Sequence, residues 1–363
     1  MRSLPTPDSQ EQSMNTYGSG KKRIPVVIVT GALGSGKTTF LRRSLNHRAL
    51  ASSMLLVNEA AEYGVDDLLL RQSSASVGLL SNGCLCCTVN DDLKERLCAI
   101  VEQVDTAQAV DRVIIETTGL ADPTPVIATI TGNPLLNGNL SVELVVTTLD
   151  CLLASSDVFD DAAAQRQVQL ADVILLTKSD LAQQRQVADA KARASSFNAL
   201  APCIDSSEAL LHDILELHSP RNSPKLQLGL FSSLSENSIE CQDEKNWQIE
   251  ASQRHLATRK SDVRTFTVEI KSSISWSQFA IWLSMLLHTH GDDILRIKGI
   301  LALGDATTPI LVNCVRHLVY FPEHLSGWPD ASRSSRLAFI VKNLDPARIV
   351  RPLNAFANPT VSE

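Results

Sequence analysis

One short segment of this chain strongly constrains the fold that surrounds it. Residues 31–38 read Gly-Ala-Leu-Gly-Ser-Gly-Lys-Thr and follow the apolar run 24–29 after a single threonine. This is the pattern G-x-x-x-x-G-K-[ST], a loop between a strand and a helix in which backbone N–H groups turn inward around phosphate oxygens. A helix is predicted to follow, and its N-terminus adds partial positive charge. The segment therefore predicts an α/β fold with a phosphate-binding loop.

The residues of this loop have expected tasks at a nucleotide. Lys37 would reach the β- and γ-phosphates, and the Thr38 hydroxyl would bind Mg²⁺. The alternative, a glycine-rich turn without a ligand, gives the Lys-Thr pair after the last glycine no purpose in packing. The nucleotide-binding residues predicted here are Gly31, Ala32, Leu33, Gly34, Ser35, Gly36, Lys37, Thr38 and Thr39.

A second segment is predicted to read the base of the nucleotide. The apolar strand 173–176 ends in Thr177-Lys178-Ser179-Asp180. A carboxylate at Asp180 can accept both the ring N–H and the exocyclic amine of guanine, whereas adenine would leave a buried acceptor unpaired at a cost of about 1–3 kcal/mol or more. Lys178 would lie along the base plane. The alternatives are ATP as the nucleotide, or an ordinary strand end followed by a helix-capping Asp.

A third segment is predicted to close the site around the γ-phosphate. An apolar strand over 113–115 ends in Glu116 and continues into Thr117-Thr118-Gly119. Glu116 is placed to act on Mg²⁺ or its water, and Gly119 can donate a backbone N–H to the γ-phosphate and move when that phosphate leaves. Glu116 as a strand-end surface acid is the alternative. The predicted catalytic residues are Lys37, Thr38, Glu116 and Gly119.

Three of the eight cysteines stand within four residues, as Cys84, Cys86 and Cys87. Three thiolates at this spacing can converge on one Zn²⁺ at about 2.3 Å each and leave the fourth tetrahedral position open, which suits delivery better than storage. A loop of core cysteines and a redox role are the alternatives. Four others stand singly in or beside apolar stretches and are predicted to be buried small hydrophobes: Cys98, Cys151, Cys203 and Cys314.

The pattern along the chain predicts two domains. Residues 1–23 are polar and are predicted to form a disordered tail. Strands and helices alternate over 24–217, which predicts the doubly wound, mostly parallel sheet of a P-loop NTPase. Residues 218–262 show little periodicity and are predicted to be a linker. Residues 263–355 predict a small α+β domain that includes one strand over 311–319, and a tail follows over 356–363.

Composition excludes some classes of function. A net charge of −7 and an isoelectric point near 5.7 argue against nucleic acid as the main partner. The 44% of hydrophobic residues is enough for two buried cores, while the longest apolar stretches are too short to span a membrane. Without an apolar signal segment before the fold, we expect a reducing, cytoplasmic compartment in which a disulfide framework does not form.

Taken together, these motifs resemble those of the CobW-type metallochaperone GTPases, relatives of the HypB- and UreG-like GTPases that insert nickel into hydrogenase and urease. The resemblance runs from about residue 24 to residue 352. The segments that carry it, in chain order, are 31–38, 57–66 (Val-Asn-Glu-Ala-Ala-Glu-Tyr-Gly-Val-Asp), 82–87 (Asn-Gly-Cys-Leu-Cys-Cys), 116–123 (Glu-Thr-Thr-Gly-Leu-Ala-Asp-Pro), 177–180 and 295–300 (Leu-Arg-Ile-Lys-Gly-Ile).

The resemblance implies a GTP-hydrolysing zinc chaperone with GTP, Mg²⁺ and Zn²⁺ as ligands. Cys84, Cys86 and Cys87 would bind the zinc, and the GTP cycle would control its release to a client metalloprotein. The protein would act as a monomer or as a homodimer. Residues 58–66 would act as a switch in which Glu59 or Glu62 supplies a fourth zinc ligand. The residues implied to approach the nucleotide from the metal side are Cys87, Thr88, Val89, Asn90 and Asp91.

Two departures from the family pattern leave alternatives open. Ala61 stands in the switch where the family usually has Gly, and alanine in a left-handed conformation would cost about 1 kcal/mol or more. The chain also lacks a histidine-rich run, so one specific ion is expected; His288 and His290 are predicted to be the polar end of a helix. The alternatives are a regulatory GTP switch with structural zinc, and a GTPase for cobalt or iron insertion into an enzyme or cofactor pathway.

Overall fold

Two sheets organise the chain. The computed structural model describes residues 23–57, 76–79, 88–103, 110–153, 157–218, 238–240, 263–270, 274–303, 308–329, 331 and 333–357.

The first sheet has seven strands in the order β3-β2-β4-β1-β5-β6-β7, and all neighbours pair in parallel. Its strands are β1 Ile24–Gly31, β2 Ser53–Val57, β3 Ser76–Leu79, β4 Arg112–Glu116, β5 Leu140–Asp150, β6 Val173–Thr177 and β7 Cys203–Asp205. Among its described residues, this part of the chain has the helices α1 Lys37–Leu45, α2 Thr88–Glu102, α3 Thr124–Gly132, α4 Pro134–Asn139, α5 Ala162–Leu170, α6 Gln184–Phe197 and α7 Leu211–His218.

The central strands of this sheet are buried on both faces, as a doubly wound fold requires. On β1, Val26 and Ile28 face one apolar cluster, and Val27 and Val29 face another. Strand β1 lies between β4 and β5, where the direction of strand order reverses along the sheet. Ligands of such folds bind outside the carboxyl ends of the strands at this point. The predicted fold class is confirmed here.

The second sheet has the order β12-β11-β10-β14-β9-β8, with β13 paired to β11. Its strands are β8 Ser238–Glu240, β9 Val263–Ile270, β10 Ile294–Leu301, β11 Ile310–Val315, β12 Leu318–Val319, β13 Glu323–His324 and β14 Ser335–Lys342. Its pairs are antiparallel except β8 with β9. Two helices, α8 Trp276–His290 and α9 Ala347–Ala357, share one apolar core with its strands.

The second sheet differs from the sequence prediction in two details. The apolar stretch 311–319 is a hairpin rather than one strand, because Arg316 turns the chain at φ 52° between β11 and β12. Strand β8 lies within the predicted linker and pairs with β9. His288 and His290 lie in the last turn of α8, the position predicted for them.

The two domains meet at an apolar surface. Val315 and Tyr320 of the second sheet are buried in the same cluster as Val126, Ile127 and Ile130 of α3. A smaller cluster joins Leu200 of the first part of the chain to Leu295, Ala338 and Ile340 of the second. Apolar burial on this scale favours a fixed arrangement of the two domains over free relative motion.

A buried charge cluster lies beside this apolar surface. Arg296 and Lys298 alternate with Ile297 on β10, so their side chains leave the apolar core and point to the other face of the sheet. There the Asp172 Oδ1 accepts from Arg296 Nη2 at 2.5 Å and from Lys298 Nζ at 2.9 Å. Burial on its own would raise the pKa of Asp172, but Arg296 and Lys298 together outweigh it and hold that pKa below its ordinary value.

None of the helices in the described parts of the chain is long and apolar enough to cross a membrane.

Candidate nucleotide site

The turn after β1 depends on glycines with a backbone that other residues rarely adopt. Gly31, Gly34 and Gly36 have φ of 141°, 71° and 91°. At Gly31 a side chain is excluded by space as well, because a Cβ there would lie 2.3 Å from the Thr148 Oγ1. The loop therefore needs its first glycine both for the turn and for the close approach of β5.

The Lys37 side chain folds back over this loop. Its Nζ donates to the carbonyl oxygens of Gly31 at 2.9 Å and Ala32 at 3.0 Å. Lys37 is the first residue of α1 and is only 8% exposed. A buried ammonium at the mouth of a glycine-rich loop, next to a helix N-terminus, is the arrangement that binds a phosphate group.

Hydroxyl groups of the neighbouring strands β5 and β6 hold the phosphate loop through contacts with Ser35. The Ser35 and Thr148 hydroxyls are 2.6 Å apart, and the Thr177 Oγ1 donates to the Ser35 carbonyl oxygen at 2.7 Å. Thr148 lies on β5, and Thr177 is the last residue of β6. Thr148 was not singled out by the sequence analysis, since only the strand pairing brings it to the loop.

The ends of α1 and β4 bring a hydroxyl and a carboxylate together. The Thr38 Oγ1 donates to the Glu116 Oε1 at 2.7 Å. Glu116 is 4% exposed, so it is not the surface acid of the alternative reading. Its neighbour Thr117 donates its backbone N–H to the Val29 carbonyl at 3.0 Å and its hydroxyl to Thr30 at 2.8 Å. Hard oxygen donors of this kind suit Mg²⁺, so these residues fit the ion that the sequence implies.

Gly119 approaches the phosphate loop so closely that only glycine fits. A Cβ at this position would lie 2.4 Å from both the backbone N and the Cα of Leu33. The backbone of the segment after β4 therefore packs directly on the backbone of the loop after β1. Leu33 and the adjacent Leu120 are 73% and 70% exposed, so this edge of the sheet is open to a ligand.

The segment after β6 lies at the same edge. Lys178 has a left-handed backbone, with φ 54°, and its Nζ lies 2.6 Å from the Asp150 Oδ2. Asp180 is exposed, and the predicted base-reading side chain is therefore accessible to a ligand.

Two acids at the ends of β5 and β7, the strands on either side of β6, were missed by the sequence reasoning. Asp150, the last residue of β5, pairs with Lys178. Asp205, the last residue of β7, accepts at Oδ1 from the backbone N–H of Ser207 at 2.8 Å and from its hydroxyl at 2.7 Å. Their position at strand ends could have identified both acids in the sequence, because the carboxyl ends of parallel strands share one edge of the sheet.

The predicted metal ligands Cys84, Cys86 and Cys87, with Glu59 and Glu62, lie outside the described residues, as does Ala61. Of the adjacent predicted nucleotide residues, Thr88, Val89 and Asn90 begin helix α2, and Asp91 is exposed in its first turn. In the parts of the chain that the structure describes, no group of three or more His, Cys, Asp or Glu side chains could hold a metal ion.

Two of the four single cysteines are buried, as predicted, and two are only half-buried. Cys151 and Cys314 are buried inside core clusters, whereas Cys98 and Cys203 are half-buried and pack against such clusters. Burial, with the nearby charges of Asp205 and Asp150, raises the pKa of Cys151 to about 11. Burial alone raises the pKa of Cys314 to about 12. These two thiols stay protonated near neutral pH and are poor metal ligands.

Comparison with known proteins gives two family matches along the chain. Residues 25–205 match the family model described as "CobW/HypB/UreG, nucleotide-binding domain". Residues 263–357 match the family model described as "Cobalamin synthesis protein cobW C-terminal domain". The first match contains the phosphate loop and the segment 177–180 that is predicted to read the base. The second contains nearly all of the second sheet and its helices.

Curated relatives and a solved structure extend over most of the chain. The zinc chaperone YjiA of Escherichia coli is 29% identical over 87% of this chain and 93% of its own length. The zinc-regulated GTPase metalloprotein activator 1 of Schizosaccharomyces pombe is 29% identical over 78% of this chain and 73% of its own. The crystal structure of Zn(II)-bound YjiA GTPase from E. coli, 22% identical, covers 93% of this chain and 100% of that chain with a TM-score of 0.60, which supports the fold.

Proposed function

This chain belongs to the CobW family of P-loop GTPases, and we propose that it binds zinc through Cys84, Cys86 and Cys87 and transfers the ion to a client metalloprotein under control of its GTP cycle. It is a GTPase, and its relatives named as a zinc chaperone and as a zinc-regulated GTPase metalloprotein activator support zinc as the metal that it handles. We expect it to act in the cytoplasm, where thiols such as the described free cysteines stay reduced. The proposal holds for a monomer and for a homodimer.

The contact between Thr38 and Glu116 is the observation that carries the GTPase part of the proposal. It joins the residue expected to bind Mg²⁺ to the residue expected to act on that ion or its water. When bound, Mg²⁺ neutralises charge on the β- and γ-phosphates. Lys37 then supplies a second positive charge from the loop, and Gly119 supplies a backbone N–H from the segment packed on Leu33. The exposed Asp180 selects guanine at the other end of the site.

The zinc part of the proposal rests on ligand chemistry. Three thiols within four residues form a soft ligand set with one tetrahedral position open. Helix α2 begins directly after the third cysteine, at Thr88, and its first turn is proposed to approach the nucleotide. Because linkage is reciprocal, a nucleotide that changes the affinity for zinc must have its own affinity changed by zinc to the same extent.

The experiment that tests this proposal is a zinc titration of the whole protein with a non-hydrolysable GTP analogue and, separately, with GDP. We expect tighter binding with the analogue, because GTP would order residues 58–66 and bring Glu59 or Glu62 toward the sulfurs. The double variant Cys86→Ser, Cys87→Ser should lose tight zinc binding and keep nucleotide binding, while Cys98→Ser serves as the control. Equal zinc affinities in the two nucleotide states would instead support structural zinc in a regulatory switch.

A further inference from the structure

Helix α5 holds the segment that contains Gly119. The side chain of Gln167 is buried, with 1% of the residue exposed, and its Nε2 donates to the carbonyl oxygens of Ala121 at 2.9 Å and Gly119 at 3.3 Å. Because these are backbone acceptors, the two hydrogen bonds fix the path of the main chain rather than one rotamer. Gln167 therefore controls where the backbone of Gly119 lies.

A second contact joins the same helix to the end of the same segment. The Arg166 Nη1 lies 2.7 Å from the Asp122 Oδ2, and the Asp122 Oδ1 accepts from the backbone N–H of Thr124 at 2.9 Å. Arg166 is 44% exposed, so this ion pair is worth less than a buried one. Two consecutive residues of α5 thus bind the segment 119–122 at three points.

Helix α5 is itself held firmly at its C-terminal end. The amide of Asn198 donates to three carbonyl oxygens there, those of Val168, Gln169 and Ala171. From the second sheet, Arg296 Nη1 donates to the carbonyl oxygens of Leu170 and Ala171. These bonds satisfy carbonyl groups at the helix C-terminus, where the supply of helical N–H partners ends. A group that is to position a reactive segment needs such support from its surroundings.

We propose that Gln167 is a positioning residue for GTP hydrolysis: from α5 it holds the Gly119 backbone against the phosphate loop, where the Gly119 N–H meets the γ-phosphate. The proposal rests on the assignment of Gly119 to the γ-phosphate made above. The new element is Gln167, which lies outside every motif recognised in the sequence. Its side chain sets the distance between the segment 119–122 and the phosphate loop. Arg296 of the second domain holds the C-terminal end of α5 through the carbonyl oxygens of Leu170 and Ala171. The second domain therefore contributes to the position of the segment 119–122.

Gln167→Leu tests the proposal, because leucine fills a similar volume without the two donors. Displacing a reactive group by a fraction of an ångström costs much rate, so we expect kcat for GTP to fall about tenfold. We expect KM for GTP and the affinity for GDP to stay within about twofold of the wild type, since the γ-phosphate contact matters most in the transition state.

Gln165→Leu is the matched control on the same helix. The Gln165 Nε2 donates to the Phe159 carbonyl at 2.6 Å, away from the Gly119 segment. If both variants lose the same activity, or if Gln167→Leu keeps the wild-type kcat, the proposal is wrong. Should Gln167→Leu fail to fold, Arg166→Gln at the more exposed position must still lower kcat without changing the affinity for GDP; an unchanged kcat in that variant overturns the proposal.

A third variant separates this inference from the function on which it rests. Gly119→Ala places a Cβ against the backbone of Leu33 and should abolish hydrolysis if Gly119 acts at the γ-phosphate. Normal hydrolysis by Gly119→Ala would refute the assignment of Gly119 itself. Loss of hydrolysis in Gly119→Ala with full activity in Gln167→Leu would refute only the positioning role.

Discussion

The hydroxyl of Thr38 donates to the carboxylate of Glu116 at 2.7 Å, although 78 positions separate the two residues in the chain. Thr38 is the second residue of α1, and Glu116 is the last residue of β4, which pairs in parallel with β1 at Val29. The strand pairing thus brings two oxygen donors from distant motifs to one edge of the sheet. Each prediction that concerns nucleotide chemistry below depends on this edge.

Replacing Glu116 with glutamine should raise the Mg²⁺ concentration needed for GTP hydrolysis. The variant keeps the size of the side chain and its contact with Thr38 but removes the negative charge that favours a divalent cation. The measurement is the rate of phosphate release over a Mg²⁺ titration, with Glu102→Gln at an exposed position of α2 as the control. An unchanged Mg²⁺ dependence would argue that Glu116 has only a structural role.

Asp180→Asn should weaken GTP binding strongly and shift selection toward xanthine nucleotides. The carboxylate matches two donors of guanine, and the amide no longer does, so a loss of about 1–3 kcal/mol or more is expected. Titrations with GTP, XTP and ATP measure the change, with the exposed Asp160→Asn as the control. If GTP affinity is the same in the variant and the wild type, Asp180 does not read the base.

Intrinsic GTP turnover should be slow, at roughly 10⁻⁴ to 10⁻² per second, as in GTPases without an assisting arginine. The phosphate loop and the segment 116–123 contain no arginine. The described arginine that approaches this segment, Arg166, is engaged with Asp122 at 2.7 Å. Lys37→Ala should abolish even this turnover. The turnover is measured in a single-turnover assay without zinc or a client protein. A fast basal rate would contradict a GTP cycle in which a partner accelerates hydrolysis.

Much of the nucleotide site was predictable because its residues follow buried strands. The apolar run 24–29 lies in strand β1, which continues to Gly31, and the strands predicted before Glu116 and Thr177 extend to include those two residues. Apolar runs in a parallel sheet are nearly continuous, so their ends mark the edge where ligands bind. That rule, with the loop pattern, was enough to single out Lys37, Thr38, Glu116 and Gly119.

Features that depend on tertiary contact were not predictable from the same patterns. The edge strands β3 and β7 have four and three residues, and β3 contains a glycine, so neither shows a clear apolar run. Gln167 lies in an amphipathic helix without any motif, and only the packing of α5 brings it to Gly119. Arg296 was noted as part of a family segment, but its partner Asp172 carried no signal in the sequence.

Substitutions in the buried charge cluster should separate its members by their effect on stability. Asp172→Asn leaves Arg296 and Lys298 buried without a counter-charge, so we expect a loss of about 3–5 kcal/mol in the free energy of unfolding at pH 7. Lys298→Met removes the second cation and keeps an apolar chain of similar length, which is expected to cost less than about 1 kcal/mol. Urea unfolding measures both, with the surface variant Asp189→Asn as the control.

The same cluster predicts how the stability difference between the wild type and Asp172→Asn depends on pH. The pKa of Asp172 is lower in the folded protein than in the unfolded chain, so its charge stabilises the fold above the unfolded value of about 3.9. That contribution is lost as the pH falls through the lower, folded-state pKa, because the folded carboxylate then takes up the proton that the unfolded one already holds. Lys298 acts in another range: burial lowers its pKa against the attraction of Asp172, so stability rises with pH between that lowered value and about 10.4.

Urea unfolding of the wild type and Asp172→Asn from pH 7 down to pH 3 measures the effect of Asp172. The difference in their free energies of unfolding should be constant above about pH 5 and should shrink below about pH 4. A difference that stays constant to the lowest pH would mean that the charge of Asp172 does not hold the two domains together.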